Sequence, residues 1–97
     1  MIRHTVLFKW AAAATQEQRQ AVQAELAVLA PTVPSIRGFV MGADAGLAPG
    51  NFDFAVTADF DDEAGFFAYR DNSAHREVIA RVIAPITAER VAVQFSY

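Results

Sequence analysis

His4 and His75 are the two histidines of the chain, and the residue pattern turns both toward apolar surroundings. His4 alternates with Ile2, Val6, Phe8 and Trp10. His75 opens a run with Val78, Ile79, Val82, Ile83 and Ile86 at the 3,1,3,1,3 spacing of one helical face. A buried polar group left without a hydrogen bond costs on the order of 1–3 kcal/mol, so each ring needs a partner. Burial also favours the neutral ring, the form that takes up a proton as a general base. Two such rings aimed into one interior point to acid–base chemistry, with a satisfied structural histidine as the competing reading of each. Tyr69 lies just ahead of the Arg70-Asp71-Asn72-Ser73 break that leads into His75. A phenol there can donate a hydrogen bond to a developing oxyanion; a half-buried aromatic is the alternative. Trp10 reads as core or as pocket wall.

Other chemistries find no support. The chain has no cysteine, which removes disulfides, thiolate zinc sites, iron–sulfur clusters and a cysteine nucleophile. No HExxH or GxSxG pattern occurs. Asp44, Asp53 and Asp59 are scattered, and Asp61, Asp62 and Glu63 read as helix-start charges. No metal and no cofactor are expected. A net charge of −3 gives no electrostatic footprint for nucleic acid. No apolar run is long enough for a transmembrane helix, and Met1–Trp10 carries charges unsuited to a signal peptide, so a cytoplasmic protein is expected.

The elements that must position these groups are legible in outline. Met1 to Trp10 alternates as a strand. Thr15 and Gln18 have capping-box spacing ahead of a helix whose stripe is Val22, Leu26, Leu29 and Val33, ended by Pro31 and Pro34. Ile36–Ala43 and Phe52–Phe60 read as strands joined across a glycine-containing loop in an antiparallel hairpin. Asp61 or Asp62 starts a short helix through Tyr69, and Asn72 or Ser73 caps a further one that stops near Pro85. Glu89–Tyr97 is the last strand. The order is βαββαβ with the second helix broken in two: an α+β single domain spanning residues 1–97, its helices on one face of a four-stranded antiparallel sheet.

The chain has 97 residues, of which 54% are hydrophobic and eight are Phe. A chain of this size buries roughly 65% of its unfolded surface, so an interface or an apolar pocket is expected as well as a core. The uncovered sheet face, read as Leu7, Phe39, Met41, Ala55, Thr57 and Ala92, needs shelter, and a face-to-face homodimer supplies it. In the interior, Val6, Phe8, Phe54, Val78, Ile79 and Val82, with Trp10, are the expected walls for a hydrophobic small molecule.

Three stretches carry a family resemblance. Ile2-Arg3-His4-Thr5-Val6-Leu7-Phe8-Lys9, Pro34-Ser35-Ile36-Arg37-Gly38-Phe39 and Asn51-Phe52-Asp53-Phe54-Ala55-Val56 resemble the corresponding parts of the Dabb family, the stress-responsive dimeric α/β-barrel proteins. Tyr69-Arg70-Asp71-Asn72-Ser73-Ala74-His75 resembles that family's Y-x-x-H-P-x-H segment, with Asn72 and Ser73 in place of the first histidine and the proline. The resemblance implies a ferredoxin-like protomer whose open sheet face meets its mate in a barrel. Some plant members of the family are polyketide cyclases that close a poly-β-keto thioester by aldol condensation. Their pocket positions map onto His4, Tyr69 and His75; in an enzyme of this kind His75 is expected to abstract the α-proton, Tyr69 to hold the enolate or carbonyl oxygen, and His4 to orient or shuttle. A non-catalytic, stress-related or ligand-binding dimer is the alternative, and a monooxygenase of the dimeric α/β-barrel type is a third.

Overall fold

The computed structural model describes residues 1–97. Along the chain run β1 (Ile2–Trp10), α1 (Gln16–Leu29), β2 (Gly38–Ala43), β3 (Phe54–Phe60), α2 (Glu63–Asp71), α3 (Ser73–Val78) and β4 (Thr87–Ser96). A π-helical turn spans Ile79–Ile83, and 3₁₀ turns span Ala30–Thr32 and Ala84–Ile86. The strands form one antiparallel sheet in the order β2-β3-β1-β4. This is the expected ferredoxin-like α+β arrangement.

The local causes are those the sequence predicts. Thr15 Oγ1 accepts from the Gln18 N–H and Gln18 Oε1 accepts from the Thr15 N–H, closing the capping box that starts α1. Val22, Leu26 and Leu29 are the buried stripe of that helix. They pack on the sheet face made by alternate residues of the central strands, where Val6 pairs with Val56, His4 with Ala58 and Ile2 with Phe60. Asp62 caps α2 through the Gly65 N–H. The Ala84 N–H reaches back to the Ile79 carbonyl, five residues away, and Pro85 follows with no N–H to give. The helical stripe therefore widens into a π turn before it ends.

Two strands present the face opposite to the one expected. Phe39 pairs with Ala58 and Met41 with Val56, so both point inward and pack against the core, leaving Val40 outside. On β4, Arg90 pairs with Phe8, Ala92 with Val6 and Gln94 with His4. Those three occupy the inner face, and Val91, Val93 and Phe95 lie outside. The reason is that register with the neighbouring strand decides which side of a pleat faces the core, and both strands are apolar enough to read either way. The expected outer face keeps Leu7, Ala55 and Thr57 and exchanges Phe39, Met41 and Ala92 for Val40, Val91, Val93 and Phe95; Leu7 and the four incoming residues are exposed there. Arg3 and Asp59 pair at one end of this face, at 2.7 Å.

The helical layer stops short of β4. Every residue of that strand after Thr87 is exposed, on the inner face as well as the outer. That gap is where the interior opens.

Candidate active site

β1 sends His4, Val6 and Phe8 into a cavity of about 310 Å³. Leu26 of α1 and Val56 of β3 close its floor, Tyr69 and His75 enter from α2 and α3, and Ile79 and Ile83 of the π turn and Arg90 of β4 complete the wall. His4, Tyr69 and His75 are all buried, at 4%, 5% and 6% exposure, and all three meet this one space. The tyrosine and histidine rings meet in a tilted contact with centroids 4.0 Å apart, and the His4 ring lies 6.0 Å from that of Tyr69.

One residue sets the spacing of Tyr69 and His75. Asn72 stands at the corner between α2 and α3. Its backbone N–H donates to the Tyr69 carbonyl, ending one helix, and its Oδ1 accepts from the His75 N–H, starting the next. Asn72 thus caps both helices at the corner.

The two imidazoles differ in what they offer. The Gln94 amide lies 2.8 Å from His4 Nδ1. An amide NH₂ has only donors, so Nδ1 accepts and the neutral ring carries its proton on Nε2. Burial, then repulsion from Arg90 and from His75, lowers the His4 pKa to about 4, and the ring is a neutral N–H donor at pH 7. Burial also lowers the His75 pKa, opposed by the backbone carbonyls of Arg70 and Tyr69 and assisted by Arg90. His75 Nδ1 is buried and makes no well-formed hydrogen bond. The neutral ring carries one proton and one lone pair. Burial raises the Tyr69 phenol to about 12, against the pull of Arg90, so it stays protonated and able to donate. The arrangement sets one imidazole lone pair and two neutral donors beside an apolar wall.

Of the expected wall residues, Val6, Phe8 and Ile79 line the cavity, while Trp10, Phe54, Val78 and Val82 do not. Trp10, Phe54 and Val78 are buried in the core, and Val82 packs against it. Trp10 stacks on Phe8 at 5.4 Å and meets Phe54 at 5.8 Å, beyond the end of the cavity. Arg90 and Gln94 are the polar residues that sequence reasoning missed. Their signal was available in the register: each is the β4 partner of an inward β1 residue, Phe8 and His4. No group of three or more His, Cys, Asp or Glu side chains is placed to hold a metal ion. No helix is long and apolar enough to cross a membrane.

A family model described as the Stress Responsive A/B Barrel Domain, Dabb, matches residues 2–97. No curated protein matches the sequence. Among solved structures, the chain is similar to a dimeric ferredoxin-like protein of unknown function from Thermobifida fusca YX. The two share 48% identity over 99% of this chain and 90% of that one, with a TM-score of 0.93. It shares its fold with a Dabb family protein from Mesorhizobium loti, at 18% identity over 99% and 95% of the two chains and a TM-score of 0.84. The same fold occurs in the hydroxynitrile lyase of Passiflora edulis, at 20% identity over 97% and 90% and a TM-score of 0.83.

Proposed function

The chain belongs to the stress responsive A/B barrel domain (Dabb) family, and from that premise we propose that it is a homodimeric acid–base enzyme acting on an enolisable carbonyl compound. The observation that carries this reading is the meeting of His4, Tyr69 and His75 on one apolar cavity. The lone pair of the neutral His75 ring takes a proton from the carbon next to the carbonyl. The C–H electron pair forms the carbon–carbon double bond, and the carbonyl oxygen becomes an enolate that accepts hydrogen bonds from the Tyr69 hydroxyl and His4 Nε2–H. In a substrate with a second carbonyl, the enolate carbon attacks it to form a carbon–carbon bond. The His75 imidazolium then returns its proton to the new alkoxide, which completes an aldol closure of the polyketide-cyclase kind. The hydroxynitrile lyase of the same fold supports the fold as a host for lyase chemistry, and at 20% identity nothing finer.

Deuterium exchange into the methyl group of an aryl methyl ketone, followed by proton NMR in D₂O, tests the base directly. Exchange well above buffer supports the reading. Exchange at the buffer rate leaves a non-catalytic binding dimer in its place.

The dimer has its own support. Leu7, Val91, Val93 and Phe95 form an exposed apolar face of the kind that marks an interaction surface, and the Thermobifida fusca relative is described as dimeric. Val93, 55% exposed in the single chain, lies inside that face. Val93→Asp buries a charge in the pairing and is expected to weaken self-association at least about tenfold, read by sedimentation equilibrium. An unchanged dimer constant places the pairing surface elsewhere.

A further inference from the structure

We propose that the cavity takes molecules whose apolar body ends in a carboxylate, and that Arg90 on β4 is the residue that reads that group. This deepens the proposal above and rests on the cavity being a small-molecule site. Arg90 is the one permanently charged side chain on the cavity wall, and it has no counter-ion. The protein's five ion pairs engage Arg3, Arg37, Arg70 and Arg81, and Arg90 is in none of them. Its place opposite Phe8 directs it to the inner face of the sheet, at the gap the helices leave uncovered.

The mouth of the cavity repeats the sign. The outer opening shares His4, Tyr69, His75 and Arg90 with the interior and adds Arg70, Arg76 and a single carboxylate, Asp71. Arg70 engages Asp71 at 2.9 Å, so the pair is internally neutralised and Arg76 and Arg90 are left in excess. A cationic mouth on a chain of net charge −3 is a local feature that overall composition does not supply, and it draws anions toward the opening. Behind it the walls are Val6, Phe8, Val56 and Ile79, which suit a hydrocarbon or aromatic body. A planar guanidinium fork fits a carboxylate with two parallel hydrogen bonds. An anion held there would place the adjoining carbons of its bearer among the base and the two donors.

The test compares two probes of matched shape, 2-naphthoate and the neutral 2-naphthamide, by isothermal titration against wild-type protein and Arg90→Gln. Wild type is expected to bind the naphthoate about tenfold more tightly than the amide. Arg90→Gln should abolish that preference while leaving amide affinity unchanged, and Arg90→Lys should restore only part of it. Millimolar inorganic phosphate, which has no apolar body, should not displace the naphthoate. Equal affinity for both probes in wild type overturns the proposal and leaves the cavity as a site for neutral apolar molecules. A preference that survives Arg90→Gln overturns the role of Arg90, and displacement by phosphate overturns the assignment to apolar carboxylates. If neither probe binds, this inference and the small-molecule reading of the cavity both fall.

Discussion

His75→Ala is expected to lower ketone deuterium exchange by about 10²–10⁴-fold, the usual contribution of a positioned general base, while the protein remains folded. The contact of His75 with Tyr69, ring centroids 4.0 Å apart, means that removing the ring also removes packing. Loss of rate alone would therefore not separate a base from a wall. The separating measurement is rescue. Alanine leaves a space of imidazole shape beside the cavity, and free imidazole added to the variant should restore part of the exchange. Restoration should follow the neutral fraction of the added base. Tyr69→Phe, which keeps the ring and removes the hydroxyl, gives a smaller loss that imidazole does not repair. Unchanged exchange in His75→Ala removes His75 from the role of base. Because burial lowers the His75 pKa, its lone pair remains free at pH values where an ordinary histidine is half protonated. Wild-type exchange should accordingly hold level through neutral pH and decline only on the acid side of the usual histidine range.

The second large effect is loss of stability in acid. His4 titrates near 4 in the folded protein because burial and the neighbouring Arg90 and His75 oppose its charging; an unfolded chain protonates it near 6.5. Between these values the unfolded state holds the extra proton, so unfolding takes up protons and stability falls as the pH falls. The contribution from His4 is complete above about pH 7 and is lost progressively down to about pH 4. A displacement from 6.5 to about 4 corresponds to about 3 kcal/mol, a large part of the margin of a small domain. His75 shifts in the same direction and adds to the loss. Asp59, held below the usual carboxylate range by its hydrogen bond with Arg3, acts in a lower window, as the pH drops past the unfolded carboxylate value. Urea midpoints measured from pH 7 to pH 4 should therefore slope steeply in wild type, and His4→Gln should flatten most of that slope. A wild-type midpoint that is level over this range would show that His4 charges freely in the folded state.

Much of this could be read without coordinates. Alternation placed His4 on the inner face of β1, and the 3,1,3,1,3 stripe placed His75 toward the sheet, because a periodicity reports a face directly. It does not report position along that face. Trp10 and Phe54 share the side of the sheet that bears His4, yet they lie beyond the end of the cavity, since the space opens only where the helices leave the strands uncovered. Nor does periodicity choose between the sides of a strand that is apolar on both. Phe39, Val40 and Met41 run consecutively, and only pairing with Ala58 and Val56 turns the first and last inward. On β4 the more apolar side faces out, so hydrophobicity pointed the wrong way and hid Arg90 and Gln94. The π turn was invisible for another reason: its residues keep a helical pattern, and only the bond from Ala84 to Ile79 distinguishes it.

The corner at Asn72 has a consequence for how such a protein can diversify. Phenol and imidazole are separated by six positions of chain and locked by two hydrogen bonds to a single residue, so the pair is inherited as one short contiguous unit. The guanidinium that faces it arrives from the far end of the sequence, on an edge strand that no helix restrains. Selection can therefore exchange residues on that strand and reshape the cavity wall without disturbing the pair proposed to react. A laboratory search for altered substrates has its natural library on the inner positions of that strand.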